Sequence, residues 1–352
     1  LYLCHWPIIF FARFIFGDSA ETAVGIAAIT VAMIGLAVAM YFLVERRFLQ
    51  PSALRSDHLV GTLAGFWSVI LTLAAMTHAT FLSGGFSWRM PKAQSDLAHL
   101  QDFPANADLR GPVGPVGVLF VGDSLIAQYA FGLKPLMERL DIGFQATGGA
   151  GCPILYGALS RSMLRQQCRL ARDKALAQLE TTTLPIVYTQ LWRLYDDSEI
   201  DYEFEGADQA ENSPGSFVKL GSALEVTIGK LVARGHRVLL IGAQVDPGCS
   251  INLPRIEQGP LPRALQRPCA PVTRDMAERS TAPIDQVLSR IQAKWPDRVR
   301  LLRPIDYFCD LECPIEQDGI LLYSSRIHLS LAGSDYMVSR SERAFREFLM
   351  PR

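Results

Sequence analysis

VGVLFVGDSL, residues 116–125, is an apolar run of strand length that stops at Gly122 and passes through Asp123 and Ser124 into a helical pattern. Leu125 to Leu140 carries the amphipathic spacing of a helix, so the segment reads as strand, turn and helix in succession. Four more short apolar runs follow: Ile142 to Thr147, Leu184 to Leu191, Arg237 to Ala243 and Val299 to Ile305. Helical patterns near 159–179, 217–234, 274–294 and 331–349 alternate with them. This alternation predicts an α/β fold whose five-stranded parallel sheet is flanked by helices on both faces. In such a sheet ligands gather beyond the carboxyl ends of the strands, so reactive residues are expected just after each strand.

Ahead of the first strand, residues 84–115 hold Gly84-Gly85, Pro91, Pro104, Gly111-Pro112 and Gly114-Pro115, the punctuation of a linker. Before the linker the chain is apolar. Thr22 to Val44 runs without a charge and as a helix would reach about 35 Å, enough for a hydrocarbon core of about 30 Å. Leu59 to Leu82 is a second full-length apolar segment. Leu1 to Phe16, shorter and carrying His5 and Arg13, reads as the preceding span, with its polar residues turned toward protein. Residues 1–83 are therefore expected to form three transmembrane helices. The loop Glu45 to His58 contains Arg46, Arg47 and Arg55, whereas Gly17 to Glu21 has Asp18 and Glu21 and no base. Basic residues are retained on the cytoplasmic side, which sends the third span outward and places everything after about residue 83, including the domain at 116–352, outside the cytoplasm. Leu1 falls inside an apolar run with no charged stretch ahead of it, so the chain is expected to be the C-terminal part of a longer one.

Lys and Arg number 34 against 35 Asp and Glu, and the net charge of −1 comes with no long basic run. That balance lacks the footprint of a nucleic-acid binder, and no nucleic acid is expected as partner. Six of the seven cysteines, Cys152, Cys168, Cys249, Cys269, Cys309 and Cys313, lie in the soluble part. An even set outside the cytoplasm suits disulfides, and neighbour spacing favours 152 with 168, 249 with 269, and 309 with 313. Cys4 is left inside the first span. The rival reading is a zinc site at Cys309 and Cys313; with no second Cys or His pair to complete four ligands, no metal is expected.

Ser124 stands where a helix N-terminus favours developing negative charge. The plain alternative is an ordinary helix cap, for which Asp and Ser are preferred. Near the other end of the chain, Ser325-Arg326-Ile327-His328-Leu329-Ser330 precedes the last helical pattern. His328 has the chemistry of a general base for a serine hydroxyl, or it is simply a loop histidine. Taken together, Gly122-Asp123-Ser124 after the first strand and His328 before the last helix make residues 116–352 resemble the SGNH (GDSL-type) hydrolase family, with its flavodoxin-like α/β fold. That family carries its nucleophile in Gly-Asp-Ser and its base in a late Asp-x-x-His. Upstream, Leu1-Tyr2-Leu3-Cys4-His5-Trp6-Pro7-Ile8-Ile9 and Val44-Glu45-Arg46-Arg47-Phe48 resemble the closing spans of the acyltransferase-3 membrane family.

The resemblance implies a role for each matching position. Ser124 corresponds to the nucleophile, and its N–H to one oxyanion donor. Gly151, in Gly148-Gly149-Ala150-Gly151-Cys152-Pro153, corresponds to the second donor; Gly149 is the other candidate, and a tight turn explains either glycine as well. Where the family offers an asparagine, this chain has Gln190-Leu191-Trp192-Arg193-Leu194-Tyr195. Trp192 is then either a core aromatic or a site wall, and Arg193 a residue able to hold substrate. The acid position is occupied by Ser325, whose hydroxyl can orient an imidazole but cannot stabilise imidazolium by charge. Asp306, Asp310, Asp318 and Asp335 are near in sequence, and their spacing singles out none as a substitute.

The fused architecture implies an O-acetyltransferase acting on a cell-surface or exported polysaccharide. It further implies a multi-pass protein of the bacterial inner membrane, in contact with lipid, whose C-terminal domain is periplasmic or extracellular. The acyl donor, acetyl-CoA, would be used by the membrane part ahead of Leu1, and no cofactor is expected in this chain. The alternatives are an acetyl-glycan esterase using the same residues and a non-catalytic glycan-binding module beside a membrane acyltransferase.

Overall fold

A helix that is apolar all round has no face to give to water, and α2 (Ala23–Met40), which follows α1 (Tyr2–Phe16), is built that way. The structure, a computed structural model, describes residues 2–16, 20–46, 56–82, 100, 103–104, 115–160, 165–196, 202–204, 216–249 and 271–350. The chain divides into two compact units, one built on residues 1–96 and the other on residues 97–251 and 270–352. In the first unit, Ala23–Leu43 is long and apolar enough to cross a membrane, and none of it is buried against protein. Thr22 caps it, its side-chain oxygen accepting the Gly25 N–H at 3.1 Å. α1 has 15 residues, about 22 Å of helix. Its Arg13 pairs with Glu21 at 3.2 Å. α3 (Ser56–Leu82) has 27 residues, and among the described residues Trp67–Leu82 is an apolar stretch of it. Among the described residues one helix therefore combines the length and the apolarity of a span.

The second unit is organised by β1 (Val116–Gly122), which forms where its apolar run predicts. Its parallel partners are β2 (Gly143–Gly148), β3 (Ile186–Thr189), β4 (Val238–Ile241) and β5 (Val299–Leu302), in the order β2-β1-β3-β4-β5. The winding reverses between β1 and β3, and at such a switch point a doubly wound sheet opens a crevice at its carboxyl edge. Successive strand residues face opposite ways. Leu119, Val121, Ile186 and Tyr188 enter one core. There they meet α5 (Arg165–Glu180), α6 (Val218–Ala233) and α7 (Arg274–Lys294), which follow α4 (Leu125–Leu140) in the chain. Val118, Phe120 and Val187 are as deeply buried on the other face, under α4 and α8 (Leu331–Leu349). A Cβ on Gly132 of α4 would lie 2.7 Å from the Ser334 carbonyl oxygen, so glycine lets α4 touch the backbone of α8.

α7 and α8 begin at caps, the Thr273 and Ser330 hydroxyls accepting the N–H groups of Met276 and Gly333. The helix expected from residue 159 instead starts at Arg165. Ala158–Ser160 pairs antiparallel with Tyr202–Phe204, a long-range partner that competes with local helix formation. Two expected disulfides are present, Cys152–Cys168 and Cys309–Cys313. The second consumes both sulfurs of the rival zinc reading. Cys249 is also disulfide-bonded; Cys269, its expected partner, lies outside the described residues.

Candidate active site

Three strand ends close on one another around Ser124. Gly122 has φ +154°, and a Cβ there would lie 1.6 Å from the carbonyl oxygen of Thr189 at the end of β3. Gly148, with φ +152°, would place a Cβ 1.7 Å from the Gly122 oxygen. Only glycine fits either position, and the carboxyl ends of β2, β1 and β3 meet backbone to backbone as a result. The chain then turns through Asp123, which is 1% exposed. One of its oxygens accepts the Leu125 N–H at 3.0 Å; the other accepts the Leu191 N–H at 2.7 Å and the Tyr195 hydroxyl at 2.8 Å. Burial pushes this carboxyl up to about 6, and the three hydrogen bonds pull the other way. Asp123 thus caps α4 and ties the turn to the loop after β3. The Ser124 side chain makes no cap hydrogen bond. Its Oγ lies 2.8 Å from His328 Nε2 instead, across 204 residues of sequence.

His328 sits on a hairpin in which Tyr323–Ser325 pairs with His328–Leu329 and Ser325 stands opposite His328. The Ser325 Oγ is 3.1 Å from Nδ1 and also receives the Ile327 N–H at 3.4 Å. With its proton on Nδ1, the ring donates to Ser325 and leaves Nε2 to accept from Ser124. Among the described residues no carboxylate is bonded to this imidazole. Asp306 pairs with Arg274 at 2.7 Å and Asp310 with Arg340 at 2.6 Å; Asp318 occupies a left-handed turn, and Asp335 is exposed on α8. Burial lowers the pKa of His328. Part of that cover is the Phe103 ring, whose centroid is 4.4 Å from the imidazole at 51°. Phe103 lies in the stretch read as a linker, yet it belongs to the same compact unit as the sheet.

Gln128 holds the hairpin from below. It follows Ser124 by four residues, one turn along α4 and on the same face. Its Oε1 accepts the Leu329 N–H at 3.0 Å, and its Nε2 donates to Gln244 Oε1 at 3.0 Å. Sequence reasoning passed over Gln128, Asp123 and Phe103 as site residues; only the i to i+4 spacing from Ser124 hinted at Gln128.

Gly151 adopts φ +63°, with open space where a Cβ would be, whereas a Cβ on Gly149 would lie 2.8 Å from Ala171 Cβ on α5. Of the two glycines, Gly151 is on the open side of the turn, which the Cys152–Cys168 bridge pins to α5. Gln190 is buried and points inward, donating to the Tyr188 hydroxyl at 2.6 Å. Trp192 is a core aromatic and not a site wall: it is 1% exposed, stacks on Tyr188 and donates its indole N–H to the Ile241 carbonyl at 2.9 Å. Arg193 is exposed and pairs with Asp246 at 2.9 Å. Among the described residues no three His, Cys, Asp or Glu side chains are grouped to hold a metal ion.

Among solved structures, the chain is similar to the periplasmic domain of a lipopolysaccharide acetyltransferase from Salmonella Paratyphi A. The two share 13% identity over 77% of this chain and 95% of that one, with a TM-score of 0.47. It is also similar to a GDSL-like lipase from Bacteroides thetaiotaomicron, at 11% identity over 65% of this chain and 87% of that one, with a TM-score of 0.34. None of the curated proteins matches it. The family described as the SGNH domain fused to AT3 domains matches residues 94–343, a span that holds Phe103, the whole sheet, Ser124 and His328. On that match, which covers most of its length, this chain belongs to the family of SGNH domains fused to AT3 domains.

Proposed function

We propose that the second unit is an O-acetyltransferase domain acting on a cell-surface or exported polysaccharide, with Ser124 as nucleophile and His328 as base. The observation that carries this reading is the 2.8 Å contact between Ser124 Oγ and His328 Nε2 at the switch point of the sheet. Ser124 Oγ attacks the acetyl carbonyl while Nε2 takes the hydroxyl proton, which then goes to the leaving group of the donor. In the second half, Nε2 takes the proton of a sugar hydroxyl, that oxygen attacks the acetyl-serine, and the proton returns to Ser124. The N–H groups of Ser124 and Gly151 are the proposed oxyanion donors. Water in place of the sugar would make the same residues an esterase. The acetyl group is taken to come from acetyl-CoA through the family's membrane part.

The second unit is placed outside the cytoplasm of a bacterial membrane protein. Support comes from apolar α2, the arginines between residues 45 and 58, and the disulfides. One observation favours a second reading, a glycan-binding module without turnover: a hydroxyl and not a carboxylate contacts His328 Nδ1. The two readings separate on release of acetyl from a small activated ester by the full chain in detergent. Acetyl transfer predicts that Ser124→Ala and His328→Ala each abolish turnover, with similar losses because the two groups act as one unit. A wild type no faster than Ser124→Ala would leave the binding module standing.

A further inference from the structure

Two arginines share one carboxylate at the rim of this site. Arg193 follows β3 and lies two residues beyond Leu191, whose N–H is held by Asp123 next to Ser124. Arg326 sits in the hairpin turn between Ser325 and His328. They converge on Asp246 in the loop after β4, Arg193 Nη1 at 2.9 Å and Arg326 Nε at 3.2 Å. Asp246 is itself fixed. It accepts the Gly248 N–H at 2.8 Å, and the carbonyl of its neighbour Val245 receives the Tyr323 hydroxyl at 3.1 Å. The exposures are unequal: the Asp246 side chain is 16% accessible, Arg193 42% and Arg326 58%. The carboxylate therefore lies beneath and the guanidinium groups face outward, leaving one positive charge in excess.

We propose that Arg193 and Arg326 form an oxyanion subsite, and that the glycan acted on by Ser124 and His328 carries a carboxylate or phosphate beside the hydroxyl that is acetylated. The inference rests on the proposed function and names its substrate class. One carboxylate neutralises one guanidinium, so the second arginine brings a charge that Asp246 does not balance. Among the described residues, Arg326 makes no other ion pair, so its Nη1 and Nη2 fork is available for two parallel bonds to a carboxylate or phosphate. The net charge of the whole chain is −1, so a preference for anions has to be local.

Calorimetric titration of the full chain in detergent with oligogalacturonate, with its neutral methyl ester and with glucose 6-phosphate tests this without relying on turnover. Oligogalacturonate or glucose 6-phosphate should bind about tenfold or more tightly than the methyl ester, and added salt should weaken the preference. The two anions separate carboxylate from phosphate. Arg326→Gln and Arg193→Gln should each remove most of the preference, and Arg326→Lys, which keeps charge and loses the fork, should fall between. Arg343→Gln on the far part of α8 changes net charge equally and should leave the preference intact. Thermal unfolding of each variant identifies any that fail to fold. Equal affinity for charged and neutral glycans, or a preference that survives loss of both arginines, overturns the subsite. An inert wild type in the ester assay, with the anion preference intact, would overturn acetyl transfer and not the subsite.

Discussion

At the scale of single residues, the chemistry turns on what faces His328 Nδ1. Ser325 can hold the ring in the tautomer that receives the Ser124 proton, but it brings no charge to meet the imidazolium that follows. Burial, with Phe103 against the ring, also disfavours that charged form and lowers the pKa. Below a lowered pKa the base is lost, so the acidic limb of the wild-type rate profile should lie under the ordinary histidine value of about 6.5. Ser325→Asp sets a carboxylate beside Nδ1, which favours imidazolium. Its acidic limb should move to higher pH while the plateau rate rises about tenfold or more. The profile has to be taken across pH, because at a single pH near neutrality the upward shift masks part of the gain. A plateau that falls in Ser325→Asp would mean that another group already supplies the acid.

Among the elements, α4 does two jobs with one face. Its first turn presents Ser124, and one turn later Gln128 holds the backbone of the residue after His328, so a single rigid helix sets nucleophile and base in register. Gln128→Leu keeps approximate volume and removes both hydrogen bonds, leaving the Leu329 N–H and Gln244 Oε1 buried without these partners. The expected cost is about 1–3 kcal/mol, read from the denaturant midpoint. Turnover should fall by more than the unfolded fraction explains, because the hairpin is no longer tied to α4. Unchanged turnover in a destabilised variant would show that Tyr323 and the Ser325 turn hold the base without help. α7 and α8 start where their apolar periodicity predicts, because that signal is local, and the structure adds their caps at Thr273 and Ser330. The start of α5 is displaced because residues 158–160 find a strand partner more than forty positions away, which no local pattern encodes.

On the scale of the whole molecule, an apolar N-terminal unit and a disulfide-bearing α/β unit lie in one chain, and the proposed function needs the second outside the cytoplasm. Protease added to intact spheroplasts should then digest the C-terminal unit. Protection there, with digestion only after lysis, would reverse the orientation inferred from Arg46, Arg47 and Arg55. Among the described residues, α2 is the element that carries the membrane argument.

Sequence alone determined the parallel sheet, its alternation with helices and the positions of Ser124, His328 and Ser325, and it favoured the disulfides 152–168 and 309–313 without fixing them. These follow from periodicity, spacing and motif, which are properties of neighbouring residues or of a family pattern. The tertiary structure alone decided that Trp192 is core, that Asp123 caps α4 in place of Ser124, and that Gly151 lies on the open side of its turn. It also brought Phe103, Gln128 and Asp246 to the site. Each of those roles is set by a partner far away along the chain: 225 residues separate Phe103 from His328, and 201 separate Gln128 from Leu329. An aromatic, an amide or a carboxylate reads the same in sequence whether it meets solvent, core or an imidazole; only the packing of distant segments against one another chooses among them.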